Sequence, residues 1–255
     1  MEPAADQPSS TATLLAAWLL RDAQEHPDVC LARLAEAAGP AVSWEAWGRE
    51  CLALAESGPA YGVPQAEDQA LNRALLELVL AIARRTRAHD LYAQASRLLI
   101  QMTSHGTPEK KSSLRAAWEL ALEAEDFSYL VWLAAQMQLE FGEGALELAP
   151  LWQAWRSRAQ RRGDRLASAE SALCLALHRR AARQVAYAIP LLAEAAAGFS
   201  ELGDDRGQAR AVAAWLSCVG EEDDPAEAHR LADVLARLMA RTDDPDVHRW
   251  LLGGW

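Results

Sequence analysis

Residues 165–220, RLASAESALCLALHRRAARQVAYAIPLLAEAAAGFSELGDDRGQARAVAAWLSCVG, decide the fold. Leucine and alanine dominate, and small residues recur where two helices would approach closely. The pattern breaks only near Ala182-Arg183-Gln184 and at Leu202-Gly203-Asp204-Asp205. Glycine disfavours helix continuation and aspartate favours helix capping, so each break ends one helix and opens another. The stretch therefore predicts three consecutive helices, the texture of a helical-hairpin repeat.

Outward from this stretch a period emerges. His89-Asp90, Glu125-Asp126, Gly163-Asp164 and Gly203-Asp204 follow one another at 36, 38 and 40 residues, and Asp243-Asp244 comes 40 residues later. Between successive junctions lie a helix, a short break and a second helix, the breaks being His105–Pro108, Gly142–Gly144, the region of Ala182 and Glu221–Pro225. Self-similarity at about 35–40 residues predicts stacked hairpins, because one hairpin cannot bury its apolar face alone. Upstream, residues 1–9 read as a flexible tail, and helices are expected over 10–25, 28–38, from Ser43, and over 66–88. The last of these carries Leu71, Leu75, Leu78, Val79 and Ile82 on one face. Pro150 marks a helix start, and Pro190 is expected near the first turn of its helix, where the missing N–H costs least. The fold class is all-α: N-terminal capping helices over 10–65, then repeats with a C-terminal capping helix over 66–255.

Tyr187–Ala213, YAIPLLAEAAAGFSELGDDRGQARAVA, resembles the tetratricopeptide repeats of bacterial regulators and adaptors. Ala176, Ala188 and Ala195 stand where that family places small residues, and Leu175 and Leu192 where it places large apolar ones. Arg179 stands where an aromatic is usual, and the closing proline of the 34-residue form is absent. The resemblance implies a right-handed α-solenoid of about six hairpins, and a concave surface that receives a partner segment.

Composition excludes several classes. A net charge of −11 argues against general nucleic-acid affinity. The apolar runs Thr13–Leu20 and Leu78–Ala83 fall far short of the ~20 residues that span a bilayer. The acidic start MEPAADQPSS lacks the basic opening of a secretory signal, and Cys30, Cys51, Cys174 and Cys218 read as buried thiols. A cytoplasmic location is expected. The pairs Asp204-Asp205, Asp223-Asp224 and Asp243-Asp244 invite a magnesium-dependent enzyme, but Asp224 and Asp244 each precede proline, the arrangement of an N-cap followed by proline at the first helical position. Glu227 is placed to complete a capping box with Asp224. The six histidines show no metal-ligand spacing, and no nucleophile elbow or phosphate loop occurs. No catalysis, metal or cofactor is expected.

Two features stand above this background. Residues 156–183 hold eight arginines against Asp164 and Glu170, whereas residues 221–246 hold nine acidic residues against three arginines. Ten tryptophans include the i,i+3 pairs Trp44/Trp47 and Trp152/Trp155, and Trp250 and Trp255 near the C-terminus. Packing between helices is the ordinary role for such tryptophans, and interface anchoring is the sharper one. The expected contact residues are Arg158, Arg162, Arg165 and Arg179, with Trp152 and Trp155 as apolar anchors. The expected function is a non-catalytic adaptor, scaffold or regulatory subunit that binds an acidic peptide or protein, with self-association through the tryptophan-rich C-terminus as a further option. The weighed alternatives are a ligand- or peptide-sensing domain of a regulator and, last, the magnesium enzyme.

Overall fold

The computed structural model describes residues 43–56, 65–142, 144–221 and 224–241. Among these every regular element is an α-helix, ten in all, and within each unit most consecutive helices pack on one another. The chain separates into two compact units, with the boundary between Ala124 and Glu125. That boundary lies inside the 66–255 stretch expected to form one array. The expected helices over 10–25 and 28–38, the C-terminal capping helix, and Trp250 and Trp255 lie outside the described residues.

The first unit contains α1 (Trp44–Glu56), α2 (Gln65–Thr86), α3 (His89–Met102) and α4 (Pro108–Ala124). Ser43 starts α1, its Oγ accepting from the Ala46 N–H at 3.4 Å. Thr107 does the same for α4 through the Lys110 N–H at 3.3 Å, with Pro108 at the first helical position. Leu75, Leu78, Val79 and Ile82 are all buried, as the α2 face predicts. Gly48 lets α1 come close: a Cβ there would stand 2.5 Å from Leu91 Cδ2 and 3.2 Å from Ile82 Cγ2. Both α2 and α4 pack on α3, with at most marginal contact between themselves.

The second unit contains α5 (Phe127–Phe141), α6 (Ala149–Arg162), α7 (Arg165–Ala181), α8 (Val185–Leu202), α9 (Asp205–Glu221) and α10 (Pro225–Arg241). The stretch 165–220 is thus three helices, α7 to α9. Its junctions work as their residues predict. Gly163 and Gly203 adopt φ of 70°, and the next N–H reaches back five residues, Asp164 to the Ala159 carbonyl at 3.0 Å and Asp204 to that of Phe199 at 2.9 Å. The same aspartates then cap the following helix, accepting from Ala167 N–H and Gly207 N–H, each at 2.8 Å. Asp126 caps α5 through Tyr129 N–H at 3.0 Å, and Asp224 caps α10 through Glu227 N–H at 3.1 Å. Gln184 closes α7 with the same five-residue reach, to the Arg179 carbonyl at 2.8 Å, around Arg183 held at φ 60°.

Helices two apart in the chain are also tied, each time by residues one period apart. Arg156 of α6 meets Glu194 of α8 at 2.6 Å, Arg210 of α9 meets Glu170 of α7 at 3.1 Å, and Arg180 of α7 donates to Ser217 of α9 at 2.9 Å. These separations are 38, 40 and 37 residues. The core beneath is small and dense: Ala172, Ala176, Ala188, Ala195 and Ala209 interleave with Leu173, Leu192 and Phe199.

Two local expectations are corrected. Pro190 lies in the second turn of α8, not the first. The Ala186 carbonyl it releases is on an exposed residue, as is Pro190 itself, so the lost bond is not a buried one. Glu227 gives its carboxylate to Arg230 in a two-pronged pair, 2.6 Å on each prong, rather than to a capping box.

Candidate functional site: a groove across three helices

The eight arginines of residues 156–183 do not form one belt. Arg162 and Arg165 sit at the α6–α7 junction, whereas Arg179 lies at the far end of α7, about 21 Å away at 1.5 Å per residue. Most of the charges are also occupied. Arg162 pairs with Glu125, Arg165 with Glu201 at 3.7 Å, and Arg179 donates to the Gln184 side chain at 2.6 Å. Arg158 is half-buried on α6 and is likewise engaged. Trp152 and Trp155 have no exposed surface at all, their rings 6.3 Å apart inside the fold. They space helices in the core, and the anchoring role expected of them is ruled out by that burial. The structure brings the acidic partners to the arginines because residues one repeat apart in sequence are neighbours in space.

A large cleft lies elsewhere, in the first unit. It measures about 720 Å³ and runs between α2 and α4 over α3. A second cleft of about 430 Å³ continues it, sharing Arg84 and Tyr92. The floor is α3, through Tyr92, Ser96, Leu99 and Thr103, spaced four, three and four residues apart. One wall is the α2 stripe Arg73, Glu77, Leu80, Arg84 and Arg87, again at alternating fours and threes. The other is α4, through Glu109, Ser112, Ser113, Ala116, Leu120 and Glu123. Such spacing keeps a stripe facing one direction along a helix that meets another.

The floor's polar groups are turned inward. Ser96 Oγ donates to the Tyr92 carbonyl at 2.6 Å and Thr103 Oγ1 to that of Leu99 at 2.7 Å, which leaves an essentially apolar surface. The walls carry the opposite character. Arg84 lies 5.6 Å from the centre of the Tyr92 ring, which holds its guanidinium over the groove. Arg73, Arg84, Arg87, Glu77, Glu109 and Glu123 form no ion pair among the described residues. Arg87 also holds φ at 57°, the left-handed region that glycine occupies at the corresponding junctions 163 and 203.

Sequence reading passed over this groove because α2 was read only for its apolar face. The signal was there in the opposite stripe, where charged residues keep heptad spacing instead of scattering. A histidine or acidic cluster able to hold a metal ion is absent among the described residues. Asp204 and Asp224 spend their carboxylates on helix caps. His89 and His105 are exposed, as expected at helix boundaries. Cys51, Cys174 and Cys218 are buried free thiols, and burial, with the Glu50 carboxylate adding to it, pushes the Cys51 thiol up to about 12. By length and composition α8 would cross a bilayer, but it turns Ala188, Leu192, Ala195, Ala196 and Phe199 into the core of its unit. No family model matches the chain, and no curated protein matches it significantly in sequence.

Proposed function

We propose that this protein is a non-catalytic interaction module, an adaptor or regulatory subunit built as a tetratricopeptide-like, right-handed solenoid of about six hairpins and working in the cytoplasm. The observation that carries the reading is the groove over α3: an apolar floor between two charged walls whose ions have no partner among the described residues. Charges held over an apolar surface and left unspent suit a protein segment that brings both apolar anchors and opposite charges. The paired arginines of the second unit offer far less, since a ligand would first have to break existing ion pairs. The ladder of links one period apart, together with the repeated glycine–aspartate junctions, supports the repeat architecture. Three buried free thiols suit a reducing compartment.

The volume of the cleft favours one competing reading, a sensor domain for a small ligand, because 720 Å³ falls within the roughly 300–1,000 Å³ of such pockets. Photo-cross-linking separates the two. Benzoylphenylalanine at Ser112, in the groove, is compared with the same group at the exposed Ser157 on α6. An adduct with a second protein from Ser112 that disappears in Arg84→Glu/Arg87→Glu supports the module. Adducts from Ser157 alone place the contact in the second unit. A chain that cross-links to nothing, yet melts higher with a small metabolite, replaces the module by the sensor.

A further inference from the structure

The charges along the groove are not evenly spread. Toward the end where α4 begins, Arg73 stands with two carboxylates, Glu77 on its own wall and Glu109 on the other. At the other end, Arg84 and Arg87 stand with His89 against the single carboxylate of Glu123. Short turns at 87–88 and 103–107 make α2 and α4 parallel to each other and antiparallel to α3. The groove is therefore polar along its length, acidic where α2 and α4 start and basic where they end.

Its shape points to one kind of occupant. From Arg73 to Arg84 the α2 wall rises through eleven residues, about 16 Å or three turns, and Arg87 stands just past its end. Walls and floor all present stripes at spacings of three and four, which match the rows of another helix and not the two-residue alternation of a strand. With α2 and α4 both resting on α3 and scarcely touching each other, the space between them over α3 is open to a further helix.

We infer that the groove binds an amphipathic helix of a partner protein whose N-terminal half is acidic and C-terminal half basic, lying antiparallel to α2 and α4. This rests on the interaction-module reading and specifies its partner. Acidic side chains in the helix's first turns meet Arg84 and Arg87, and basic ones in its last turns meet Glu77 and Glu109. The orientation also sets its dipole against those of both walls, and acidic first turns and basic last turns stabilise the incoming helix itself. Reversing either the orientation or the charge order alone juxtaposes like charges at both ends. Reversing both restores the pairs but sets the helix dipole parallel to those of the walls and puts unfavourable charges at its own ends.

The test uses two fluorescein-labelled helical peptides of identical composition, about 18 residues long, with leucine on one face. One carries glutamates in its first half and lysines in its second, and the other reverses the order. Fluorescence anisotropy with the full chain at low salt is expected to favour the acid-first peptide by about tenfold, the scale of a few half-exposed charge pairs. Arg84→Glu/Arg87→Glu should abolish or invert that preference, with circular dichroism verifying the fold. Arg162→Glu/Arg165→Glu in the second unit should leave it intact. Equal affinity of both peptides for wild type overturns the polarity. Binding of neither overturns the helical partner, and a surviving adduct from Ser112 would then show that the module reading stands without it.

Discussion

Replacing Arg210 by glutamine tests the register of the repeat, because Glu170 of α7 depends on a residue one period downstream. The Glu170 side chain is 10% exposed and that of Arg210 30%, with the guanidinium nitrogen 3.1 Å from Oε1. Burial raises the Glu170 carboxyl above its ordinary value, the Arg210 charge opposes that rise, and the Asp204 charge adds to it. Charge centres about 4 Å apart at an effective dielectric of about 20 attract by ~4 kcal/mol. Partial exposure of Arg210 screens about half of this, so Arg210→Gln should cost about 2 kcal/mol near neutral pH.

The pH dependence distinguishes this mechanism from simple loss of packing. A carboxyl whose folded value lies above its unfolded value holds its proton longer in the native state. Its contribution to stability is therefore full below the unfolded value and declines as pH rises through the folded one. Removing Arg210 takes away the opposing charge and raises the folded value further. The deficit of Arg210→Gln should be small at and below the ordinary carboxyl value of about 4.5 and grow as pH rises through the raised folded one. Urea unfolding followed by circular dichroism across that range measures it. Glu170→Gln/Arg210→Gln should recover most of the loss, because no buried charge then lacks a partner. A deficit independent of pH, or a double variant weaker than Arg210→Gln alone, would refute the reasoning.

Trp155→Ala should cost about 3–5 kcal/mol in urea unfolding, the price of emptying a wholly buried indole. By contrast, Arg162→Glu/Arg165→Glu should change stability by less than about 1 kcal/mol per lost exposed pair. Asp164→Ala removes the cap on the Ala167 N–H and should cost about 1 kcal/mol, with α7 fraying seen as faster amide exchange in its first turn. Arg87→Gly relieves a left-handed backbone and should raise stability by about 0.5–1 kcal/mol while weakening the acid-first peptide. In a Cys30→Ser background, a thiol reagent should find Cys51, Cys174 and Cys218 unreactive until the chain unfolds.

The helices were legible because their punctuation is local. Gly163-Asp164 and Gly203-Asp204 carry in two residues both the left-handed closure and the next cap, and the structure uses them that way. Glu125-Asp126 and Ala182–Gln184 were readable from position, since glycine is replaced there by Glu125 and Arg183 at φ 54° and 60°. The unit boundary at 124/125 left no such trace, because Asp126 caps the next helix there just as Asp164 and Asp204 do inside the second unit. Trp152 and Trp155 show the limit of face reasoning: spacing of three puts them on one face, but only the packing of α6 on α7 tells that the face is interior.

The arginines of residues 156–183 show why a charge count along a chain misleads in a repeat protein. A repeat places residue i beside residue i plus one period, so the relevant neighbours of Arg156, Arg162 and Arg165 are Glu194, Glu125 and Glu201, 38, 37 and 36 residues away. Summed over a window of contiguous sequence these carboxylates do not register, and a neutralised surface is read as a basic one. The converse holds for α2, where Glu67, Asp68 and Glu77 nearly cancel Arg73, Arg84, Arg85 and Arg87 in a linear count over residues 65–87. The carboxylates one period on, Glu109 and Glu123, line the facing wall without forming an ion pair with those arginines, and the two signs are unevenly spread along the groove. In such a fold the charges available to a partner are those left over after pairing at the repeat period. By that criterion the proposed contact surface moves from the second unit, where the arginines of residues 156–183 are largely spent, to the groove of the first, where Arg73, Arg84 and Arg87 form no ion pair among the described residues.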